Sequence, residues 1–554
     1  MPGNGDDLYG ALAERVRVDR RRFLGLVGAG TGVVVLGACS SGGGSAAKRP
    51  PSSTLPKTTS GPTTTSAPPV PGSQGITADP FTLGVASGDP RPESVVLWTR
   101  LAPEPLTADG TGGLAGSDIK VLWEMASDEA FDKVVVSGIE VATTAFGHSV
   151  HAQPHGLEPD TWYHYRFRVG SYVSPVGRAR TMPSDDATPD QLRIAFVSCQ
   201  SRTAGHWTAY DHLAEDDLDL VFHLGDYIYE YPGGEGPTKV ALDHEPQTLA
   251  DYRVLYASYK RDPKLQKAHQ RAPWVITWDD HEVQNNYADE TPDHAKDQAA
   301  FAARRTAAYQ AFWEHQPVRI APPAADGSLD VYRTVRFGRL ATFFVLDGRQ
   351  YRTDQVCGDK VPTSASSCDE LDDPDHTMLG TKQEAWLAKG FQAVDTTWTV
   401  LAQQTVMKAL VFGDVILNVD QWDGYPAARS RLLKSIDAAG LENVVVLTGD
   451  IHAAGAADIR LPNADIKGKV VAHELVGTSI SSPGVAAVGE AFDLASIGIP
   501  YANFVDHGYG RCTITPRRWT AEFVTVDTIS EATSPAQVDA TLEITAGTAG
   551  LRRV

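Results

Sequence analysis

The sequence predicts an α/β protein in which a layered α/β sandwich follows a smaller β-sandwich domain. Short runs between Ile76 and Arg180 alternate apolar and polar residues, which is the period of half-buried strands. From about Gln191 onward, apolar runs alternate with helix-like stretches, as in layered α/β folds. The length of 554 residues also exceeds what one hydrophobic core usually supports.

The N-terminus has the pattern of an export signal with a lipid anchor. Arg20–Arg22 precede a short apolar run, Gly25–Gly37, which is too short and too weakly apolar for a membrane span. This pattern is typical of a twin-arginine signal peptide. The run ends in Leu36–Cys39, which resembles a lipobox. We therefore expect residues 1–39 to be a signal peptide with a lipidated Cys39, and the alternative is ordinary cleavage beside that cysteine.

Residues 40–75 have the composition of a disordered linker. They are mainly Ser, Thr, Pro and Gly, so they cannot bury enough apolar surface to offset the entropy lost on ordering. Their proline content favours a semi-extended tether. We expect the protein to be exported by the twin-arginine route, either to the extracellular face of the cytoplasmic membrane or into the medium. It is expected to be a monomer that contacts the membrane only through the lipid at Cys39.

The charge and cysteine content exclude several classes of partner and scaffold. The formal net charge is -20, and so acidic a surface repels nucleic acid. No specific nucleic-acid binding is expected, and a small anionic ligand would need bound cations to reverse the charge locally. Five cysteines are too few for a disulfide scaffold.

Residues 76–185 are predicted to form the fibronectin-like β-sandwich domain. The candidate strands, separated by turns such as Gly88-Asp89-Pro90, are Phe81–Val85, Ser94–Trp98, Lys120–Glu124 and Tyr163–Val169. The stretch before the last strand resembles the corner of fibronectin-type sandwiches, where a tyrosine hydroxyl bonds back to the chain. His148, His151 and His155 are interpreted as surface or turn residues, because no carboxylate or cysteine joins them at ligand spacing.

In residues 190–554, five strand-like runs end in groups that bind metal ions. These are Ile194–Ser198 before Cys199, Leu218–Leu224 before Gly225-Asp226-Tyr227-Ile228-Tyr229, Trp274–Trp278 before Asp279-Asp280-His281-Glu282, Thr399–Ala402 before Gln403-Gln404, and Val444–Thr448 before Gly449-Asp450-Ile451-His452. Sites in open α/β sheets form outside the carboxyl ends of the strands. The five endings are therefore expected to meet in one metal site.

The spacing within two endings lets one loop supply two ligands. In one ending, Gly225 permits a sharp turn, so Asp226 and Tyr229 can face one site. In the other, Asp450 and His452 are two positions apart, and such residues face the same side of an extended segment. Read alone, Cys199 could be a buried structural thiol and Tyr229 a packing aromatic. Their positions after strand-like runs favour the role of ligand.

The ordered set of these endings resembles that of the PhoD-type alkaline phosphatases, relatives of the purple acid phosphatases in the metallophosphoesterase superfamily. Trp278–Asn286 and Leu346–Arg352 add to the resemblance, which covers nearly the whole mature chain. The resemblance implies that residues 190–554 are a metallophosphoesterase catalytic domain. It also implies an exported metal-dependent phosphatase that hydrolyses phosphate monoesters, and diesters as well.

The resemblance further implies the cofactors Fe³⁺ and Ca²⁺. It assigns to the ferric ion the ligands Cys199, Asp226, Tyr229 and His452. Thiolate, phenolate and imidazole suit a transition metal better than a hard alkaline-earth ion. To a calcium ion, which takes oxygen ligands, it assigns the bridging Asp226 together with Asp280, Gln403 and Asp450. Asn286 is a candidate ligand of a further calcium ion.

The mechanism expected from this set is in-line attack on phosphorus by a hydroxide that bridges the two cations. His281 directly follows Asp280, and is the candidate for protonating the leaving oxygen or, alternatively, for a supporting hydrogen bond. Asp279 is expected to support its neighbour rather than to bind metal. Arg202 and Arg349 are weaker catalytic candidates for phosphate contact, and surface ion pairing is equally expected for them.

Other functions remain as alternatives at this point. A phosphodiesterase or phospholipase-like enzyme would use the same site on another ester. A non-catalytic cell-surface binding module should have lost ligands, yet every ligand class is present. A glycosidase would leave the Cys-Asp-Tyr-His set unexplained.

The remaining cysteines and the C-terminal region carry structural predictions. Cys357 and Cys368 are expected to form a disulfide that closes a loop. Cys512 is expected to be an unpaired core thiol, and residues 513–525 to add strands to a sheet.

Overall fold

Two large β-sheets packed face to face form the centre of the computed structural model, which describes residues 68–73, 75–114, 116–293, 298–486 and 493–554. Phe222 of one sheet and Phe343 of the other stack in the core between them, with ring centroids 4.7 Å apart. Helices pack on the outer face of each sheet. The resulting helix, sheet, sheet, helix order is the layered α/β sandwich that the sequence predicts.

The elements are numbered in chain order. The helices are α1 Ala209–Leu213, α2 Leu249–Lys260, α3 Pro263–His269, α4 Gln298–His315, α5 Gly380–Gln392 and α6 Pro426–Ala438. The strands are β1 Val85–Arg91, β2 Ser94–Arg100, β3 Ile119–Ala126, β4 Val134–Ala142, β5 Ser149–Ala152, β6 Trp162–Val169, β7 Tyr172–Val173, β8 Gly177–Arg180, β9 Leu192–Val197, β10 Leu220–His223, β11 Trp274–Ile276, β12 Arg333–Phe337, β13 Ala341–Val345, β14 Thr363–Ser364, β15 Trp398–Ala402, β16 Val411–Phe412, β17 Val415–Ile416, β18 Val444–Thr448, β19 Ala454–Leu461, β20 Lys469–Val476, β21 Tyr501–Asn503, β22 His507–Ile514, β23 Arg518–Val526, β24 Ala536–Thr545 and β25 Arg552–Arg553.

The strands that lead to the predicted site are parallel within each sheet. The first sheet has the order β25-β24-β23-β22-β9-β10-β11-β1-β2-β5, and the second has the order β12-β13-β15-β18-β20-β19-β21. Neighbours β9, β10 and β11 are parallel, as are β13, β15, β18 and β20. The loops after these strands therefore lie at the carboxyl edge of each sheet, where α/β proteins form their sites.

The predicted β-sandwich shares a sheet with the α/β region. Strands β3, β4, β6, β7 and β8 form a separate sheet, and its apolar residues pack against those of β1, β2 and β5. These last three strands extend the first large sheet, because β1 lies parallel to β11 with Gly88 opposite Trp274. The N-terminal region is thus joined to the α/β region by main-chain pairing.

Two local predictions in this region have different outcomes. The predicted strand Phe81–Val85 is wrong, because the strand begins at Val85 and contains the predicted turn Gly88-Asp89-Pro90. The pairing with β2 changes register after Gly88, and Asp89 has a φ of 40°. The predicted tyrosine corner is confirmed: the hydroxyl of Tyr163 accepts a hydrogen bond from the N–H of Glu158 at 2.9 Å.

Several predictions concern the termini and the cysteines. The signal peptide and lipobox predicted in residues 1–39, and most of the linker predicted in residues 40–75, lie outside the described residues. Within the described ranges, no helix combines the length and apolar character needed to cross a membrane. Cys357 and Cys368 form the expected disulfide, and Cys512 is the expected buried free thiol.

Candidate metal centre

The loops after β9, β10 and β18 adopt left-handed backbone conformations. The φ angle is 59° at Cys199, 57° at Asp226, 67° at Asp450 and 55° at His452. Non-glycine residues seldom adopt such values, and where they do the residues cluster at functional sites. The turns direct these side chains beyond the strand ends.

Gly225 allows two of the loops to approach each other. Its φ is 115°, and a Cβ atom at this position would lie 2.4 Å from the Cβ of Asp279. The buried carboxylate of Glu282 then accepts hydrogen bonds from the N–H groups of Asp226, Tyr227 and Asp279. Glu282 therefore holds both loops in place, a role that its position in the sequence motif does not reveal.

Three groups of candidate ligand atoms lie together at this edge. Within each group the atoms are all within 4.8 Å of one another. The groups are Cys199, Asp226 and His452; Asp226, Asp280 and His281; and Asp279, Asp280 and Asp450. Asp226 belongs to the first two groups and Asp280 to the last two. Asp226 and Asp280 are thus the two carboxylates shared between neighbouring groups.

The phenol of Tyr229 joins the first group. Its oxygen lies 2.9 Å from Oδ2 of Asp226 and 3.0 Å from Nε2 of His452. It also accepts a hydrogen bond from the hydroxyl of Ser482 at 2.7 Å. Ser482 comes from a loop with no motif or periodic pattern, so sequence reasoning missed it.

The pKa shifts and unpartnered oxygens of these buried groups are those expected of a site for cations. Burial raises the pKa of the Cys199 thiol and of the Tyr229 phenol well above their ordinary values, and the Asp226 carboxylate adds to both shifts. Burial also raises the pKa of Asp226 itself. Within the described part of the chain, one carboxylate oxygen on each of Asp226, Asp279 and Asp280 is buried without a hydrogen-bond partner. Bound cations would satisfy these oxygens and favour the anionic form of each ligand.

The predicted calcium ligand Gln403 is used elsewhere. Its amide hydrogen-bonds with the Trp422 indole, the Thr405 carbonyl and the Thr448 hydroxyl. The amide that reaches the carboxylate groups is that of Gln421, whose Nε2 donates to Oδ2 of Asp450. Gln421 follows no predicted strand, so no sequence pattern pointed to it.

The backbone of Asn286 contacts one of the candidate ligands. Its N–H donates to Oδ2 of Asp280 at 2.6 Å. Its carbonyl accepts hydrogen bonds from Arg352 and Gln355. The backbone of Asn286 therefore orients Asp280, and its predicted role as a ligand of a further calcium ion stays a prediction.

Arg349 is buried among carboxylates. This placement differs from the predicted phosphate contact and from the alternative, an ion pair at the surface. Its side chain is 0% exposed. The guanidinium bonds with Asp279 and lies 2.9 Å from Asp420, 3.6 Å from Asp450 and 3.7 Å from Asp280. It neutralises part of the charge of the acidic groups and ties their loops together.

Arg202 lies outside the acidic groups. Its guanidinium is paired with Asp262 at 3.1 Å and donates to the carbonyl of Pro237. Its backbone N–H lies 3.4 Å from the Tyr259 hydroxyl, to which the N–H of Tyr229 also donates. The predicted phosphate contact is therefore replaced by a supporting ion pair beside the loop.

His281 is held by a buried glutamate that sequence reasoning missed. Nδ1 lies 2.6 Å from Oε2 of Glu230, and this contact fixes the orientation of the ring. Burial by itself lowers the pKa of His281, but the carboxylates of Glu230, Asp280 and Asp226 outweigh burial and raise it well above the ordinary value. The ring is thereby held beside the carboxylates of Asp226 and Asp280.

Comparison with known proteins gives the family. The model of the PhoD-like phosphatase family matches residues 194–523, and that of the PhoD-like phosphatase N-terminal domain matches residues 65–183. The chain is 44% identical to alkaline phosphatase D of Bacillus subtilis (strain 168) over 86% of this chain and 82% of that protein. A solved structure of PhoD, 42% identical, superposes with a TM-score of 0.82 over 86% of this chain and 93% of that one. A shorter match, 39% identical, covers 14% of this chain and 18% of purple acid phosphatase 23 of Arabidopsis thaliana. This chain belongs to the PhoD-like phosphatase family.

Proposed function

We propose that this phosphatase hydrolyses phosphate monoesters, and diesters as well, at a site for two kinds of cation. The ligands would be Cys199, Asp226, Tyr229 and His452 for Fe³⁺, and Asp226, Asp280 and Asp450 for Ca²⁺. The observation that supports this best is the buried Asp226, which has an unpartnered oxygen and belongs to two ligand groups. When bound, the cations would supply an activated water and neutralise charge on the phosphate oxygens.

The surrounding side chains have separate tasks in this proposal. Glu282 and Gly225 hold the Asp226 loop against the next strand ending. Glu230 orients His281, which protonates the oxygen of the departing alcohol. The same proposal includes export and anchoring through Cys39, and that part rests on the sequence pattern of residues 1–39.

Replacing Tyr229 with Phe is expected to remove a visible absorption band of the purified protein. Such a band arises from charge transfer between a phenolate and ferric iron, and Phe keeps the ring while removing the oxygen. Elemental analysis of the wild-type protein should find iron and calcium. Turnover of p-nitrophenyl phosphate and bis-p-nitrophenyl phosphate then measures the activity towards monoesters and diesters.

Tyr227→Phe is the matched control for this change. Tyr227 lies in the same loop, but its hydroxyl pairs with His269 at 2.8 Å, so its removal should leave the absorption band intact. Carefully prepared wild-type protein without bound ions, or without turnover of either ester, would refute the proposed function.

Replacing His281 with Ala is expected to lower kcat about a hundredfold or more, the usual contribution of a positioned acid. Metal content should stay near that of the wild-type protein, because the carboxylates and the Cys199 group remain. The exposed His155 provides the control, His155→Ala, with wild-type kcat expected. Unchanged kcat in His281→Ala rejects the acid role, and loss of a metal equivalent assigns the side chain to a ligand instead.

A further inference from the structure

An apolar cleft lies beside the candidate metal centre. The cleft is open to solvent, and its lining includes Val406, Leu410, Leu417, Ile451, Ile499 and Phe504. These residues come from the loop after β15, the β16–β17 hairpin, the loop after β18 and the segment around β21. Their side chains present hydrocarbon to any ligand in the cleft.

Two residues of the lining, Ile451 and Val406, connect the cleft to the candidate ligands. Ile451 stands between Asp450 and His452 in the chain, and both neighbours belong to ligand groups. On the other side, the N–H of Val406 donates to Gln421, whose amide donates to Asp450. A group that leaves the phosphorus site in this direction therefore meets apolar side chains at once.

Two charged residues, Glu474 and Lys408, also line the cleft, and both are buried. Glu474 is 0% exposed and accepts hydrogen bonds from the N–H groups of Met407 and Lys408 and from the hydroxyl of Thr448. Burial lowers the pKa of Lys408, and the Glu474 carboxylate offsets part of this shift. Because the Glu474 carboxylate is held by internal hydrogen bonds and most of the lining is apolar, the cleft favours apolar groups.

We propose that this cleft binds the hydrocarbon part of the alcohol in the phosphate ester, so that the preferred substrates are esters of alcohols with an apolar chain or ring. This inference rests on the proposed phosphatase function. In the reaction, the oxygen of water bonds to phosphorus, the bond from phosphorus to the alcohol oxygen breaks, and that oxygen takes a proton. The apolar part then leaves with the alcohol product.

The test is a series of straight-chain esters: methyl, butyl and hexyl phosphate, with release of inorganic phosphate as the measurement. The leaving alcohols differ little in acidity, so intrinsic reactivity does not rise along the series. Complete burial of one methylene group strengthens binding about fourfold. With partial burial of the chain, we expect kcat/KM of the wild-type enzyme to rise about tenfold or more from methyl to hexyl phosphate.

Leu417→Gln should lower the ratio of kcat/KM for hexyl to methyl phosphate about tenfold, because it places an amide in the apolar lining. Ile499→Gln carries the same expectation, so a folding defect in one variant does not remove the test. The control is Val135→Gln on β4, a side chain 50% exposed and outside the cleft, which should keep the wild-type ratio.

The outcomes separate the inference from the function on which it rests. Equal kcat/KM of the wild-type enzyme for methyl and hexyl phosphate overturns the cleft assignment and leaves the phosphatase function intact. A wild-type ratio in both Leu417→Gln and Ile499→Gln overturns it as well. Absence of turnover on all three esters and on p-nitrophenyl phosphate, despite bound metal, refutes the proposed function itself.

Discussion

Replacing Asp226 with Asn is expected to lower kcat/KM about a thousandfold or more, because the neutral amide cannot bridge two cations. Asn has nearly the same shape, and it tolerates the left-handed backbone found here, with a φ of 57°. The hydrogen bond from its N–H to Glu282 does not involve the side chain. The variant should therefore fold normally while its metal content, measured by elemental analysis, falls.

Asp243→Asn is the matched control. The Asp243 side chain is 98% exposed, so this substitution should leave turnover unchanged. Acid should also release metal from the wild-type protein. Burial raises the pKa values of Asp226 and Cys199 in the metal-free state, so protons compete for these ligands increasingly as the pH falls. Wild-type activity in Asp226→Asn, with both cations retained, would contradict the bridging role.

Most of the candidate ligands that sequence reasoning identified share one property: they follow a strand within a few residues. The run Val444–Thr448 is β18 with the same bounds, and Asp450 and His452 come immediately after it. A strand pattern and a ligand pattern that are adjacent in the chain support each other, and parallel strands bring such endings to one edge. The metal-binding groups around Asp226 could therefore be predicted without knowledge of any contact.

The supporting residues gave no such signal. Glu230, Gln421 and Ser482 lie in irregular loops, and their contacts join segments far apart in the sequence: Ser482 and Tyr229 are separated by 253 positions. The burial of Arg349 also depends on packing that no local pattern encodes. For the same reason, the pairing of β1 with β11, which joins the N-terminal region to the first large sheet, could not be predicted from strand periodicity.

Replacing Arg349 with Met is expected to lower the free energy of unfolding of the metal-free protein by about 3–5 kcal/mol. Met fills much of the space but removes the positive charge that lies among Asp279, Asp280, Asp420 and Asp450. These carboxylates are buried, and an uncompensated buried charge is costly. Urea unfolding of the metal-free wild-type and variant proteins measures the difference. The control, Arg193→Met, removes a side chain 42% exposed that pairs with an exposed aspartate, and should change the free energy of unfolding by less than about 1 kcal/mol.

The loss caused by Arg349→Met should be smaller when the cations are bound. The cations would neutralise Asp280 and Asp450, so fewer carboxylates depend on the guanidinium. Arg349→Lys should be intermediate in the metal-free protein, because it keeps the charge but lacks the planar group that reaches both Asp279 and Asp420. An equal loss in the metal-free and metal-loaded proteins would show that Arg349 and the cations do not share the same carboxylates. The acidic groups would then have to be separated into a structural set, balanced by arginine, and a catalytic set that is balanced only by metal.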